Sequence, residues 1–231
     1  MAQFNLITDL IETMATPGCA VCRLVDRDVR QYIDSFFYES ITVVERRSEI
    51  RAARGFCSVH GSILAGHSRT LGTAIIHHDV INDILRGFPP DAARGGVLRA
   101  ALSNAREAVA RALKPRRECV LCEHERHQER ILLEALVNGL PDEKIRSAFE
   151  RSGGLCVPHL QAALQLRDIR ADTLRLLIDL ERGMLGALRD ELDTFIHKSN
   201  GSYEFVSMGD ESDSPARATK LVSGRVFGRR A

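Results

Sequence analysis

The phrase Gly-apolar-Cys-x-x-His occurs twice in this chain, as GFCSVH at 55–60 and as GLCVPH at 154–159. Each copy trails a Cys-x-x-Cys by about thirty-five residues, Cys19/Cys22 in one case and Cys119/Cys122 in the other. These phrases use up all six cysteines of the 231-residue chain. Laying residue 19 over residue 119 also matches Tyr32, Ile33, Phe36 and Phe37 to Leu132, Leu133, Leu136 and Val137. One deletion near 141 then brings Ile50 onto Phe149, Gly55 onto Gly154, Cys57 onto Cys156 and His60 onto His159. Matches of that kind at a nearly constant offset point to internal duplication.

Each half reads as helical. Val21, Leu24, Val25, Val29, Tyr32, Ile33, Phe36 and Phe37 recur at the three- and four-residue spacing of one buried helix face. Thr42 with Glu45 suggests a capping box opening a second helix that stops at Gly55. A third is expected from about Val59 to Arg86, and a break at 87–96 precedes an Ala- and Arg-rich helix over about 97–113. In the second half one helix follows Cys122, another opens at Pro141-Asp142 and stops at Gly153-Gly154, and the last runs from Pro158 to about His197. The expected fold is all-α: tandem helical-hairpin repeats, 1–96 and 97–198, followed by a short C-terminal tail, 199–231.

Two Cys₃His sets follow from the cysteine phrases: Cys19, Cys22, Cys57 and His60, then Cys119, Cys122, Cys156 and His159. Cys-x-x-Cys turns two sulfurs toward one point, and Cys-x-x-His sets an imidazole one helical turn after a sulfur. Three cysteines and a histidine are a standard donor set for a closed structural zinc site. The long spacer makes sense if outgoing and returning helices form a hairpin whose open end the metal clips. Zinc, two ions per chain, is the expectation. An iron–sulfur cluster is the alternative, four cysteines being its more usual ligands. A redox role for bare dithiols lacks the βαβ frame that such pairs normally occupy.

The rest of the composition narrows function mainly by exclusion. Thirty-two Lys and Arg against 31 Asp and Glu leave a formal charge of +1, so nucleic acid is not indicated. No apolar run is long enough to span a bilayer, and the N-terminus, with Asp9 and Glu12 in its apolar stretch, is not a secretory signal. Grouped cysteines fit a reducing, cytoplasmic setting. His77, His78 and Asp79 offer the outline of a metal-dependent hydrolase but have no matching set elsewhere, and a surface or interface role suits them better. Arg46, Arg47, Arg51 and Arg54 read as a solvated face, and His127 as a candidate partner orienting a ligand.

After His197 the texture changes. SYEFVS could form a short strand, and GDESDSP is a turn in which Asp213 or Ser214 can cap a last helix. Paired C-x-x-C…G-x-C-x-x-H halves followed by GDE-x-DS resemble a family of uncharacterised prokaryotic helical proteins, classed as a domain of unknown function. The similarity covers almost the whole chain. The resemblance implies two metal-ligand sets and brings no established activity. The sequence therefore supports an interaction or regulatory scaffold, with a redox or metal sensor as the alternative. The partner would be another protein, or a second copy joined through the helical body or the tail. Since the tail holds no Cys or His, a chain ending at Lys198 is expected to keep both metals.

Overall fold

The computed structural model describes residues 2–40, 42–66, 70–88, 99–200 and 207–224, without side chains at 2–5, 39–40 and 99–104. Among these, eleven α-helices and no strand are found: α1 (Ala2–Met14), α2 (Ala20–Ser35), α3 (Val44–Ala52), α4 (Ser58–Ala65), α5 (Thr70–Leu85), α6 (Arg99–Leu113), α7 (Val120–Gly139), α8 (Glu143–Ser152), α9 (Val157–Ala163), α10 (Ala171–Ser199) and α11 (Ser214–Ser223). A π-helical turn, Phe36–Ser40, extends α2, and a 3-10 turn, Asp210–Asp213, leads into α11. The all-α expectation holds. SYEFVS and most of the break at 87–96 lie outside the described residues.

Contacts divide the chain differently from its two sequence halves. One compact unit comprises Met1–Asp28 with His127–Ala231, and the other comprises Val29–Arg126. The first packs α1 against α8, α10 against α11 and the 3-10 turn, and α11 against α9. Leu10, Met14, Leu133, Leu136, Phe149 and Leu177 are buried in this unit. The second packs α3 against α5 and α5 against α6, with Ile33, Phe36, Phe37, Ile50, Leu64 and Ile76 buried. Each such side chain contributes about 1.5–3 kcal/mol by leaving water. The apolar stripe read along residues 21–37 is therefore real, and Phe36 and Phe37 meet edge to face at 5.7 Å.

Three local expectations change. The helix expected over 59–86 is two, α4 and α5, and the one expected over 158–197 is also two, α9 and α10. In the second case Asp168 takes a left-handed conformation, φ 64°, which a helix interior does not accommodate. The start of α3 is not a Thr42 box: Val43 occupies the N-cap with no side-chain hydrogen bond. Asp142, by contrast, caps α8 as expected, its carboxylate accepting the N–H groups of Lys144 (2.8 Å) and Ile145 (3.4 Å).

Candidate metal centres

Two turns build the first group. Cys19 stands just ahead of α2 with Cys22 in its first turn, while Cys156 is the N-cap of α9 with His159 one turn on. The Gly18 N–H donates to the Ser152 carbonyl at 2.6 Å and so ties the approach to Cys19 to the end of α8. The Arg23 guanidinium donates to the carbonyls of Thr13, Thr16, Pro17 and Gly18 at 2.7–3.0 Å, fixing the same turn. In the other unit Cys57 caps α4, its sulfur accepting the His60 N–H, and Cys119 and Cys122 open α7. There the Arg116 N–H donates to the Ala52 carbonyl at 2.7 Å, tying the approach to Cys119 to the end of α3.

The eight residues read from the sequence thus come together as two groups of four, but the pairs are crossed. Cys19 and Cys22 meet Cys156 and His159, and Cys57 and His60 meet Cys119 and Cys122. This corrects the expectation that each hairpin clips its own open end. The reason is length. At 1.5 Å per residue the 16 residues of α2 advance about 24 Å and the 9 of α3 about 14 Å. In the second half the 20 residues of α7 advance about 30 Å and the 10 of α8 about 15 Å. The returning helix is too short to carry the Cys-x-x-His back to its own Cys-x-x-Cys.

Within each group the four donor atoms lie within 4.8 Å of one another. His159 Nδ1 is 3.3 Å from both Cys19 and Cys22 Sγ and 3.1 Å from Cys156 Sγ, with Cys22 and Cys156 sulfurs 3.6 Å apart. His60 Nδ1 is 3.2 Å from Cys57, 3.4 Å from Cys122 and 3.8 Å from Cys119 Sγ, and the Cys57–Cys122 separation is 3.6 Å. Both imidazoles turn the opposite nitrogen, Nε2, to a carboxylate of α7: Glu125 at 3.1 Å from His60, and Glu129 at 3.3 Å from His159. Such a carboxylate fixes the tautomer so that Nδ1 presents its lone pair to a metal. Neither glutamate stands out in the sequence, where His127 is the candidate for this role. His127 is exposed, with Arg130 beside it.

The electrostatics ask for a cation. Burial pushes the His159 pKa down, but Cys156, Cys19 and Glu129 more than offset it and hold it up at about 12. For His60, burial is likewise outweighed by Cys119, Glu125 and Cys57, and the pKa rises to about 10. The sulfurs split. Hydrogen bonds from Cys156 and Cys22 hold Cys19 well below the ordinary thiol range, while Cys156 and Cys19 push Cys22 up. Burial raises Cys119, but His60 and backbone N–H groups bring it to about 7; burial and Cys57 push Cys122 up. In each group one sulfur, Cys19 or Cys119, is drawn toward the thiolate beside a histidine held toward its charged form, while a second, Cys22 or Cys122, is pushed the other way. A divalent cation at the centre would let all three sulfurs ionise, so the donors fit a metal.

The surroundings of the first group extend to the tail. Gly224, which ends α11 with φ 73°, has its Cα hydrogen where a Cβ would sit 3.4 Å from Cys156 Sγ and 3.1 Å from Pro158. Ser214 is buried, Lys198 Nζ donates to Glu211 at 2.6 Å, and Arg217 pairs with Glu191 and Asp213. A cavity of about 940 Å³ in this unit opens on Cys19, Cys22 and Cys156 and reaches Lys220 and Gly224. The described residues of the tail, 207–224, therefore pack in the same unit as this group. In the other unit Asp79 and Asp83 of α5 are taken up by arginines, Arg47 and Arg51 at 3.5 Å from Asp79, and Arg54 and Arg116 on Asp83. The basic run of α3 is thus a brace to α5 more than a solvated face, and these carboxylates are committed to it.

One family spans this arrangement from α1 to the tail: a family of unknown function, DUF6062, matches residues 6–228. The chain belongs to DUF6062. It is similar to the uncharacterized 23.9 kDa protein in the xynA 3′ region of Caldicellulosiruptor sp. (strain Rt8B.4), 26% identical over 229 residues, which cover 93% of this chain and 99% of that one. No solved structure matches the chain. The DUF6062 match takes in α11, the element that carries Gly224 to Cys156. Among the described residues no helix is long and apolar enough to cross a membrane.

Proposed function

We propose that each group binds one zinc ion, two per chain, and that the protein is a metal-stabilised helical scaffold for interaction or regulation in the reducing cytoplasm. The observation that carries this reading is the tightness of the groups, four donors within 4.8 Å. Ligands held 2.0–2.3 Å from a single tetrahedral ion stand about 3.3–3.8 Å from one another. An iron–sulfur cluster interposes its own irons and sulfides and spreads its cysteines wider, so the geometry favours one ion over a cluster. Bound zinc would supply fixed positive charge and folding free energy. Cys19, Cys22 and Cys156 with His159, and Cys57, Cys119 and Cys122 with His60, would fill its coordination, and four protein ligands leave no position for a hydrolytic water. Asp79 and Asp83, held by arginines, likewise speak against the hydrolase reading of His77, His78 and Asp79. The test is metal analysis with an absorption spectrum on protein purified without oxygen. A colourless protein with two zinc ions per chain supports the proposal. A brown protein with iron and sulfide overturns it in favour of a redox sensor.

A further inference from the structure

Helix α5 shows an apolar face to the solvent. Leu71, Ala74, His78, Ile81, Leu85 and Phe88 follow one another at alternating three- and four-residue steps, the spacing of a coiled-coil seam. All six are exposed, Leu71 at 75%, Ile81 at 55%, Leu85 at 56% and Phe88 at 45%. Phe88 lies just past the helix end in a hydrogen-bonded turn, its N–H donating to the Leu85 carbonyl at 3.0 Å. The inward side of the same helix is already occupied: Ile76 and Val80 are buried, and Asp79 and Asp83 meet the arginines of α3. Packing among the described residues therefore leaves the outward stripe uncovered. Its side chains present on the order of 500 Å² of apolar surface, as large as the biggest patch on an ordinary monomer.

The long helix of the other half provides a contrast. The outer face of α10 also carries exposed apolar residues, Ile178 and Leu185, but sets Arg175, Arg182 and Arg189 among them. That face is built for water. The α5 stripe contains no Asp, Glu, Lys or Arg along its whole length.

We infer that α5 is the interface of a homodimer, packed antiparallel against α5 of a second copy. The stripe complements itself about a two-fold axis between residues 79 and 80. Leu71 then faces Phe88, small Ala74 faces Leu85, and His78 faces Ile81, each pair occurring twice as an isologous contact requires. A standard interface buries about 800 Å² per partner, and the roughly 500 Å² of the stripe would form its apolar core, with polar neighbours completing the rim. The inference goes beyond the zinc proposal and does not depend on it.

Sedimentation equilibrium of the full metal-loaded chain tests it. The wild-type chain is expected to dimerise. His78→Glu and Ile81→Lys should each raise the dimer dissociation constant at least about tenfold, with helicity and metal content unchanged as the check on folding. The double variant should recover the dimer, because the introduced carboxylate of one copy then faces the introduced ammonium of the other. A monomeric wild-type chain overturns the inference and leaves the face to a different protein. Single variants that remain dimeric overturn it as well, and failure of the double variant to recover rules out the antiparallel register.

Discussion

Around Cys156 the chain closes from its far end, with Gly224 set against the sulfur and α11 tied down by Arg217 and by Lys198–Glu211. Around Cys57 the support is local: α3 ends just before it, and Arg47, Arg51 and Arg54 fasten that helix to Asp79 and Asp83 of α5. The donor sets and distances are nearly the same. The difference lies in what would have to come undone before a bound metal could leave. A segment joined from about seventy residues away detaches with less local cost than a brace between neighbouring helices, because loops and termini occupy the low end of the stability range.

The largest effects test the crossing itself. Cys57→Ser and Cys156→Ser should each remove one metal and destabilise the protein by several kcal/mol, since the binding energy of a structural site is folding energy. Pairs of substitutions separate the two topologies. Cys57→Ser with Cys119→Ser strikes one group and should leave one metal per chain, whereas Cys19→Ser with Cys57→Ser strikes both and should leave none. Self-clipped hairpins would give the opposite counts. Metal analysis of the two double variants decides between them.

What the sequence made legible, and what it hid, follows the same line. The eight residues that gather in the two groups stand out in the sequence because their types and short spacings recur, and a spacing of three is enforced by a single helical turn. Their grouping could not be read from spacing alone, because it depends on how far each helix travels before the chain turns back. The ingredients were present: an unbroken stripe from Val21 to Phe37 against a short segment from Val44 to Ala52. Assuming a closed hairpin concealed the mismatch. The gap between α4 and α5 was hidden because Leu64 and Leu71 stay in helical phase across it. Glu125 and Glu129 carried no signal, since glutamate is ordinary on a helix surface and only the position of the imidazoles singles these two out.

A second prediction sharpens the contrast in cover. A chain ending at Lys198 loses Gly224 and α11 and should release one metal to a chelator much faster than the full chain does. The ion held by Cys57, His60, Cys119 and Cys122 should exchange at an unchanged rate. Exchange kinetics on the two chains, each also carrying Cys57→Ser or Cys156→Ser to isolate one site, provide the measurement. Equal rates at both sites would mean that the tail gives Cys156 no protection.

Smaller effects are expected beneath the ligands. Glu129→Ala should weaken metal binding about 10–100-fold at the group containing His159 and leave the other alone, because the imidazole loses the carboxylate that orients it. Glu125→Ala should do the same for the group containing His60. Chelator competition with each variant checks the assignment. Loss at the wrong site would show that the glutamates act through the helix and not through their contact with the imidazole.

The smallest prediction compares helix starts that occupy the same place in the two halves. The α8 start is capped: Asp142 adopts extended backbone, φ −73° and ψ 129°, and its carboxylate accepts two N–H groups that the helix cannot satisfy. At the α3 start Val43 adopts nearly the same backbone, φ −78° and ψ 116°, but a valine side chain has nothing to accept with. The geometry for a cap is therefore present and the chemistry is missing. Asp142→Ala should cost about 1 kcal/mol, and Val43→Ser should stabilise by up to about the same amount. Val43 is 38% exposed, so some apolar burial is lost in the exchange and offsets part of the capping gain. Thermal melts of the two variants give the sign directly. If Val43→Ser proves destabilising, the valine is engaged in packing that outweighs a hydrogen bond, and the two helix starts differ for a reason other than capping.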